Sequence, residues 1–359
     1  MYFSEEDICF ISTVKLICND CETLKSFALS IKEPVYAMFV LQYYALFCSA
    51  LKEYLNQDLL SSKNDFENAN LRNMIKNFEK RFGKVKYIYL SIDKEQDEDF
   101  QSFVRFNYIK DNKSYFNLGI YFDEKRKIIG NTHLAASFLS CYDGDDKRIK
   151  AYQIGENFGR IIRSFSDSLS ENITMPLIKI NTVHPKMFFL DVNTDKNKFF
   201  NRQYSKEINL LLLHCVSTLN YVQYCLEPIF SKFNTWIMRV KYISTYYAHR
   251  GLLRIKKHLE QNSPTQLVQN IEQITHTGEC LFSSTMRNCM MHFELKNNGD
   301  FAISKDSYDI SKPLFGLIET CFGMSYNDYF DKLSDYGKII DVFISGLFDI
   351  KNAKIKPLD

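Results

Sequence analysis

Arg287-Asn288-Cys289-Met290-Met291-His292 is the stretch of this 359-residue chain whose residue types could do chemistry at close quarters. Histidine, with an unperturbed pKa near ~6.5, passes a proton at neutral pH. Arginine stays cationic and can grip phosphate oxygens with two N–H groups. Asparagine can donate to a phosphate or fix an imidazole ring. The spacing predicts one helix over 279–295, with Phe282, Met286, Cys289 and Phe293 as its apolar stripe. Asn288 and His292 then share a face away from that stripe. Arg287 lies about 140° around the helix from His292, within reach of a long side chain or across a groove. The plain alternative is a structural helix, with Arg287 paired to an acid and His292 capping the end.

A second feature is basic. The predicted helix over 230–259 carries Lys232, Arg239, Lys241, Arg250, Arg254, Lys256 and Lys257. Lys232, Arg239, Arg250 and Lys257 fall on one stripe that includes Tyr246, while Phe233, Val240 and Ile243 with Trp236 or Ile237 can pack inward. Such a stripe could hold an RNA backbone, with Tyr246 stacking on a base. A solvated cationic face is the competing reading. His249 and His258 on the same helix read as surface or capping residues. Cys18 and Cys21 have metal-ligand spacing, but no second pair follows, so no metal is expected. The segment 71–77 echoes the arginine–asparagine motif without its histidine. No phosphate-binding glycine loop, nucleophile elbow or paired-histidine zinc helix is present; Gly155 to Arg160 lacks the glycine–lysine pattern.

Arg287-Asn288 followed by His292 resembles the signature of the HEPN (higher eukaryote and prokaryote nucleotide-binding) family. There an arginine, often followed directly by asparagine, precedes a histidine by a short spacer. The resemblance covers about 204–349. It implies a compact helical bundle with the motif on a late helix. It also implies metal-independent endoribonuclease chemistry without a cofactor. In such enzymes the RNA's own 2′-hydroxyl attacks the adjacent phosphate, leaving a 2′,3′-cyclic phosphate and a 5′-hydroxyl. Arg287, Asn288 and His292 would be the catalytic residues, and Lys232, Arg239, Tyr246, Arg250 and Lys257 could hold the RNA. One histidine is thin for a reaction needing both acid and base, so a homodimer with the motifs near the two-fold axis is implied. Bacterial members act as toxins, abortive-infection factors and other antiviral effectors. The alternative is a non-catalytic HEPN module that binds RNA or nucleotide or scaffolds a complex. A third reading is a toxin whose antitoxin adds a nucleotide to Tyr246 or Tyr247.

The elements that must position these residues follow from composition and period. Aromatic residues are 15% of the chain, whereas Gly (13) and Pro (7) are scarce, which excludes collagen-like and Pro-rich disordered classes. The net charge of +2 means that a polyanion partner must meet a local patch. No apolar run reaches the ~18–20 residues of a membrane span. Met1 to Asp7 has no basic region, so no secretory signal is expected. Ten dilute cysteines, several inside apolar runs, favour a reducing cytoplasm. Apolar spacing predicts helices over 9–32 and 35–60, separated at Pro34, and an amphipathic helix over 66–82. Strands are expected at 85–90, 103–108 and 115–122, where β-branched and aromatic residues concentrate. Helices are expected again over 132–142 and 149–169, then an extended stretch at 176–191. The polar run 193–202 is the expected boundary between an N-terminal α+β sensing or regulatory region (1–195) and a helical bundle (203–350). In the second region helices are expected over 204–226 and 230–259. Another begins at Ser263-Pro264 and stops near Gly278. The last are over 279–295, 314–322 and 326–347. The first region is where an antitoxin or activating ligand would bind. The fold expected is therefore mainly α, with a few short strands before the bundle.

Overall fold

A computed structural model describes residues 4–30, 34–55, 82–106, 116–139, 155–157, 159–163, 178, 180–181, 186–195, 198–260, 266–293, 295–297 and 299–358. The fold is mainly helical, with a small four-stranded antiparallel sheet. The expected helix at 66–82, the 71–77 echo and the Ser263 cap lie almost wholly outside the described residues.

The chain opens with α1 (Glu5–Ser30). The Ser4 hydroxyl accepts from the Asp7 N–H at 3.2 Å while the Ser4 N–H donates to the Asp7 carboxylate at 2.9 Å. This reciprocal cap, with Glu5, Glu6 and Asp7 in the first turn, suits the positive end of the helix. Pro34 is the first residue of α2 (Pro34–Leu55). Both match the expected helical segments over the residues described, and the expected stretch 56–60 lies outside them.

The next element corrects the sequence reading. Residues 85–90 and 103–106, expected as strands, belong to α3 (Phe82–Phe106). Val85, Tyr89 and Ile92 are buried at helical steps of four and three, while Tyr87 between them is 75% exposed. Aromatic and β-branched content mimicked a strand, but the burial period is 3.6 rather than 2. The expected strand at 115–122 forms as β1 (Leu118–Phe122). It turns at Asp123, whose carboxylate accepts from the Lys125 and Lys127 N–H groups, and returns as β2 (Ile128–Asn131). Then come α4 (Thr132–Leu139) and β3 (Phe188–Val192). The sheet order is β2-β1-β3-β6, with β6 (Lys356–Pro357) supplied by the chain's far end. Tyr121 pairs with Phe189, which in turn faces Lys356.

At the centre lies α5 (Lys206–Asn220), buried at every position from Ile208 to Asn220. A helix buried on all sides must be surrounded, and its buried polar groups need partners, as Ser217 has in Asn131 and Asn220 in Asp341. The β1–β2 hairpin and α3 cover it, together with α6 (Thr235–Glu260) and α10 (Tyr326–Ser345). Between these last two come α7 (Gln266–Gly278), α8 (Ser284–Met291), the short β4–β5 hairpin (Lys296–Asn297, Asp300–Phe301) and α9 (Leu317–Phe322). Buried side chains before and after 193–202 belong to one continuous apolar cluster. Within that stretch Asn193, Thr194, Phe199 and Phe200 are themselves buried, and Phe199 stacks on Phe348 with ring centroids 5.2 Å apart.

Candidate active site

The motif helix is shorter than its periodicity predicts. A single helix over 279–295 is replaced by a 3-10 turn (Glu279–Leu281), an extended Phe282 and then α8, only eight residues long. Ser283 starts α8: its hydroxyl accepts from the Met286 N–H at 3.0 Å. His292 ends it with an extended backbone (φ −127°, ψ 157°), its N–H still donating to the Asn288 carbonyl at 3.0 Å. The physical cause of the stop is Phe293. Its ring packs edge-on against Phe47 of α2, centroids 5.6 Å apart, and under the Arg239 guanidinium at 4.3 Å. Burying that ring turns the chain out of the helix and toward β4. Met286, Cys289, Met290 and Met291 are buried, so α8 is anchored on one side.

Arg287, Asn288 and His292 are all partly exposed at this helix. The Arg287 Nη1 donates to the Asn288 Oδ1 at 3.1 Å. His292 Nδ1 lies 2.5 Å from the Glu53 Oε2, near the end of α2; the two side chains are 35% and 45% exposed. A carboxylate on Nδ1 fixes the ring's orientation and leaves Nε2 as the nitrogen to face a substrate. Sequence reasoning missed Glu53 because nothing in local spacing ties it to a residue so far along the chain. The plain alternative finds support in one part, since His292 does cap α8, while the acid lies on His292 and Arg287 donates to Asn288. Beneath the site, the Tyr242 hydroxyl donates to the Ser283 carbonyl at 3.3 Å. Burial raises its pKa well above the ordinary tyrosine value, against the smaller opposing pull of the nearby Arg287 charge.

The expected RNA-binding stripe divides. Lys232 and Lys257 are exposed, and Arg250 is partly buried. Tyr246 is also partly buried; it stacks on Tyr242 and meets Phe282 edge-on, which makes it part of the aromatic packing. Arg239 is a correction: it is 2% exposed and points inward. Its Nε lies 3.0 Å from the Asp20 Oδ2 on α1, and its Nη1 donates to the Met290 carbonyl at 3.2 Å. Charge periodicity marked Arg239 as surface because its acid sits on a distant helix. The residue instead braces the last turn of α8 from below. Asp20, in the Cys18–Cys21 segment, has its pKa pushed up to about 6 by burial, against the pull of Arg239 and the Thr235 hydroxyl. Cys18 and Cys21 are both buried, and among the described residues no group of three histidine, cysteine or acidic side chains could hold a metal.

His249 packs against Phe282, ring centroids 4.9 Å apart, just before the cap of α8. His249 Nδ1 is 2.6 Å from the Tyr336 hydroxyl, and burial lowers its pKa to about 4, helped by Arg250. His258 is partly buried. Tyr247 is 1% exposed with its hydroxyl on the Met291 sulfur, which hides it from a modifying enzyme. No helix among the described residues is long and apolar enough to cross a membrane. Comparison with protein-family models, curated proteins and solved structures found no match to this chain.

Proposed function

We propose that the chain is a metal-independent endoribonuclease of HEPN type, with the helices from α5 to α10 as its HEPN-like bundle. The observation that carries this reading is the half-exposed His292, oriented by Glu53 and flanked on the same short helix by Arg287 and Asn288. Each group has a role in transesterification. His292 Nε2 takes the proton from the 2′-hydroxyl or returns one to the leaving 5′-oxygen. Arg287 neutralises the charge that builds on the phosphorane oxygens. Asn288 holds the Arg287 guanidinium in place and can donate to a phosphate oxygen. The 2′-oxygen forms the new bond to phosphorus, the P–O5′ bond breaks, and the products are a 2′,3′-cyclic phosphate and a 5′-hydroxyl.

A second histidine is needed for the opposite proton transfer. A homodimer that brings two copies of the motif to one cleft supplies it. The family resemblance, rather than any contact in the chain, carries the further reading of a toxin or antiviral effector, with the region before 195 as its sensing or regulatory part. The second reading is a HEPN-type module that binds RNA or nucleotide without cutting. Glu53 favours it, because a carboxylate at the mouth of the site repels a phosphodiester.

The test is cleavage of mixed-sequence single-stranded RNA in EDTA by wild type, Arg287→Ala and His292→Ala, each shown by circular dichroism to be folded. The nuclease reading expects wild-type cleavage and a loss of about 10²–10⁴-fold in either variant. Equal cleavage by all three would remove the motif from the mechanism. Tight RNA binding without cleavage would favour the binding module. Light scattering of the wild type tests the dimer, and a monomer at working concentration would count against it.

A further inference from the structure

The sheet presents an open face that the proposed nuclease chemistry does not use. Along it, the pairing of β1 with β3 sets Tyr121 beside Phe189 and Gly119 beside Asp191, and the pairing of β3 with β6 sets Lys356 beside Phe189. Two adjoining hollows of about 500 and 550 Å³ run over this face and share Phe116, Phe189 and Asp191. Phe116 is 42% exposed, an unusual position for so large an apolar ring. Lys198, Lys354 and Lys356 rim the first hollow, all exposed and none with a carboxylate partner among the described residues. Of the acids there, Asp349 is engaged by Asn352 at 2.8 Å, while Asp191 is exposed and has no such partner.

We infer that this trough is a nucleotide-binding site, in which a base stacks on Phe116 and Phe189 and the phosphate meets Lys198, Lys354 and Lys356. Exposed aromatic faces on a sheet give a base a stacking platform of any sequence. The lysines supply point charges for a phosphate. Asp191 selects among bases. A carboxylate can only accept, so it favours an edge with adjacent donors, as guanine offers through its N1–H and its 2-amino group. A wholly phosphate ligand is disfavoured by the same carboxylate, and an acidic peptide brings no ring for the aromatic pair. The ligand chemistry is therefore a guanine nucleotide, free or within a single strand. The inference does not depend on cleavage at His292, since its residues and its readout are separate.

Calorimetry on the full chain in EDTA tests it, with GMP, AMP and a short G-containing single strand of 2′-O-methyl RNA, which lacks the attacking 2′-hydroxyl, as probes. The variants are Lys354→Glu/Lys356→Glu and Asp191→Asn, all at exposed positions and each checked for unchanged thermal unfolding. The expected result is saturable binding of GMP with a Kd of about 1 mM or tighter. The double lysine variant should weaken it by about tenfold or more, and Asp191→Asn should abolish the preference for GMP over AMP. Binding of the oligonucleotide but not of free GMP, with the same loss in the variants, would identify an RNA strand as the source. No binding of any probe at about 1 mM, or binding that the variants leave untouched, would overturn the proposal.

Discussion

Replacing Asp20 by asparagine keeps shape but removes the only charge that faces Arg239 among the described residues. Both partners are buried, with side chains 0% and 2% exposed, 3.0 Å apart. Arginine cannot shed its proton, so the variant must keep a cation in the interior with one carbonyl hydrogen bond and a ring face for company. The expected cost is about 3–5 kcal/mol, a large share of an ordinary domain's stability. Arg239→Met is expected to cost less, because the stranded partner can neutralise itself. With its pKa already at about 6, Asp20 is protonated at pH 7 for about 1–2 kcal/mol, and for less once the arginine is gone. The double variant should recover part of the asparagine loss. Urea unfolding at pH 7, followed by far-ultraviolet circular dichroism, measures all three. A cost for Asp20→Asn within about 0.5 kcal/mol of zero, or a larger cost for Arg239→Met, would refute the buried pair as the brace of α8.

Acid should destabilise the fold through its buried histidines. Burial lowers His214 to about 3 and His249 to about 4 in the folded chain. The unfolded state takes up the protons first, so stability is full above about pH 6.5 and falls below it, by about 2 kcal/mol per histidine at pH 5. Asp20 acts in the opposite sense, its raised pKa adding a smaller gain as pH falls through 6. Urea titrations at pH 7 and pH 5 should therefore show a net loss, and His249→Gln should flatten it. Glu53→Gln removes the charge beside His292 and should slow RNA cleavage by about 10- to 100-fold with unchanged thermal stability; an unchanged rate would leave Glu53 without a role in positioning the ring. Gly278→Ala would put a methyl 2.0 Å from the Tyr336 ring, so a loss of about 1–3 kcal/mol is expected in thermal unfolding.

The long helices were legible because their apolar residues recur with the helical period and their breaks fall at Pro34, Pro228 and Gly278. The failures have specific causes. In α3 the residue types pointed to strands while the spacing of Val85, Tyr89 and Ile92 already carried the helix. In the motif segment the stripe of Phe282, Met286, Cys289 and Phe293 read as one helix. The Ser283 cap and the burial of Phe293 against Phe47, a contact across the chain, cut it to eight residues. Arg287, Asn288 and His292 could be singled out from spacing alone, since they lie within six residues. Glu53 and Asp20 could not, because each meets its partner only after α1 and α2 have packed. Arg239 shows the same limit from the other side: a cation on a basic helix reads as surface until its acid is located.

The chemistry of the fragment ends is the most direct test of the central claim. Wild-type protein would be incubated with single-stranded RNA in EDTA and the products characterised by mass spectrometry and end-labelling, beside His292→Ala. The account expects 2′,3′-cyclic phosphate and 5′-hydroxyl ends from the wild type alone. Fragments with 5′-phosphate ends, or the same cyclic ends from His292→Ala, would contradict it.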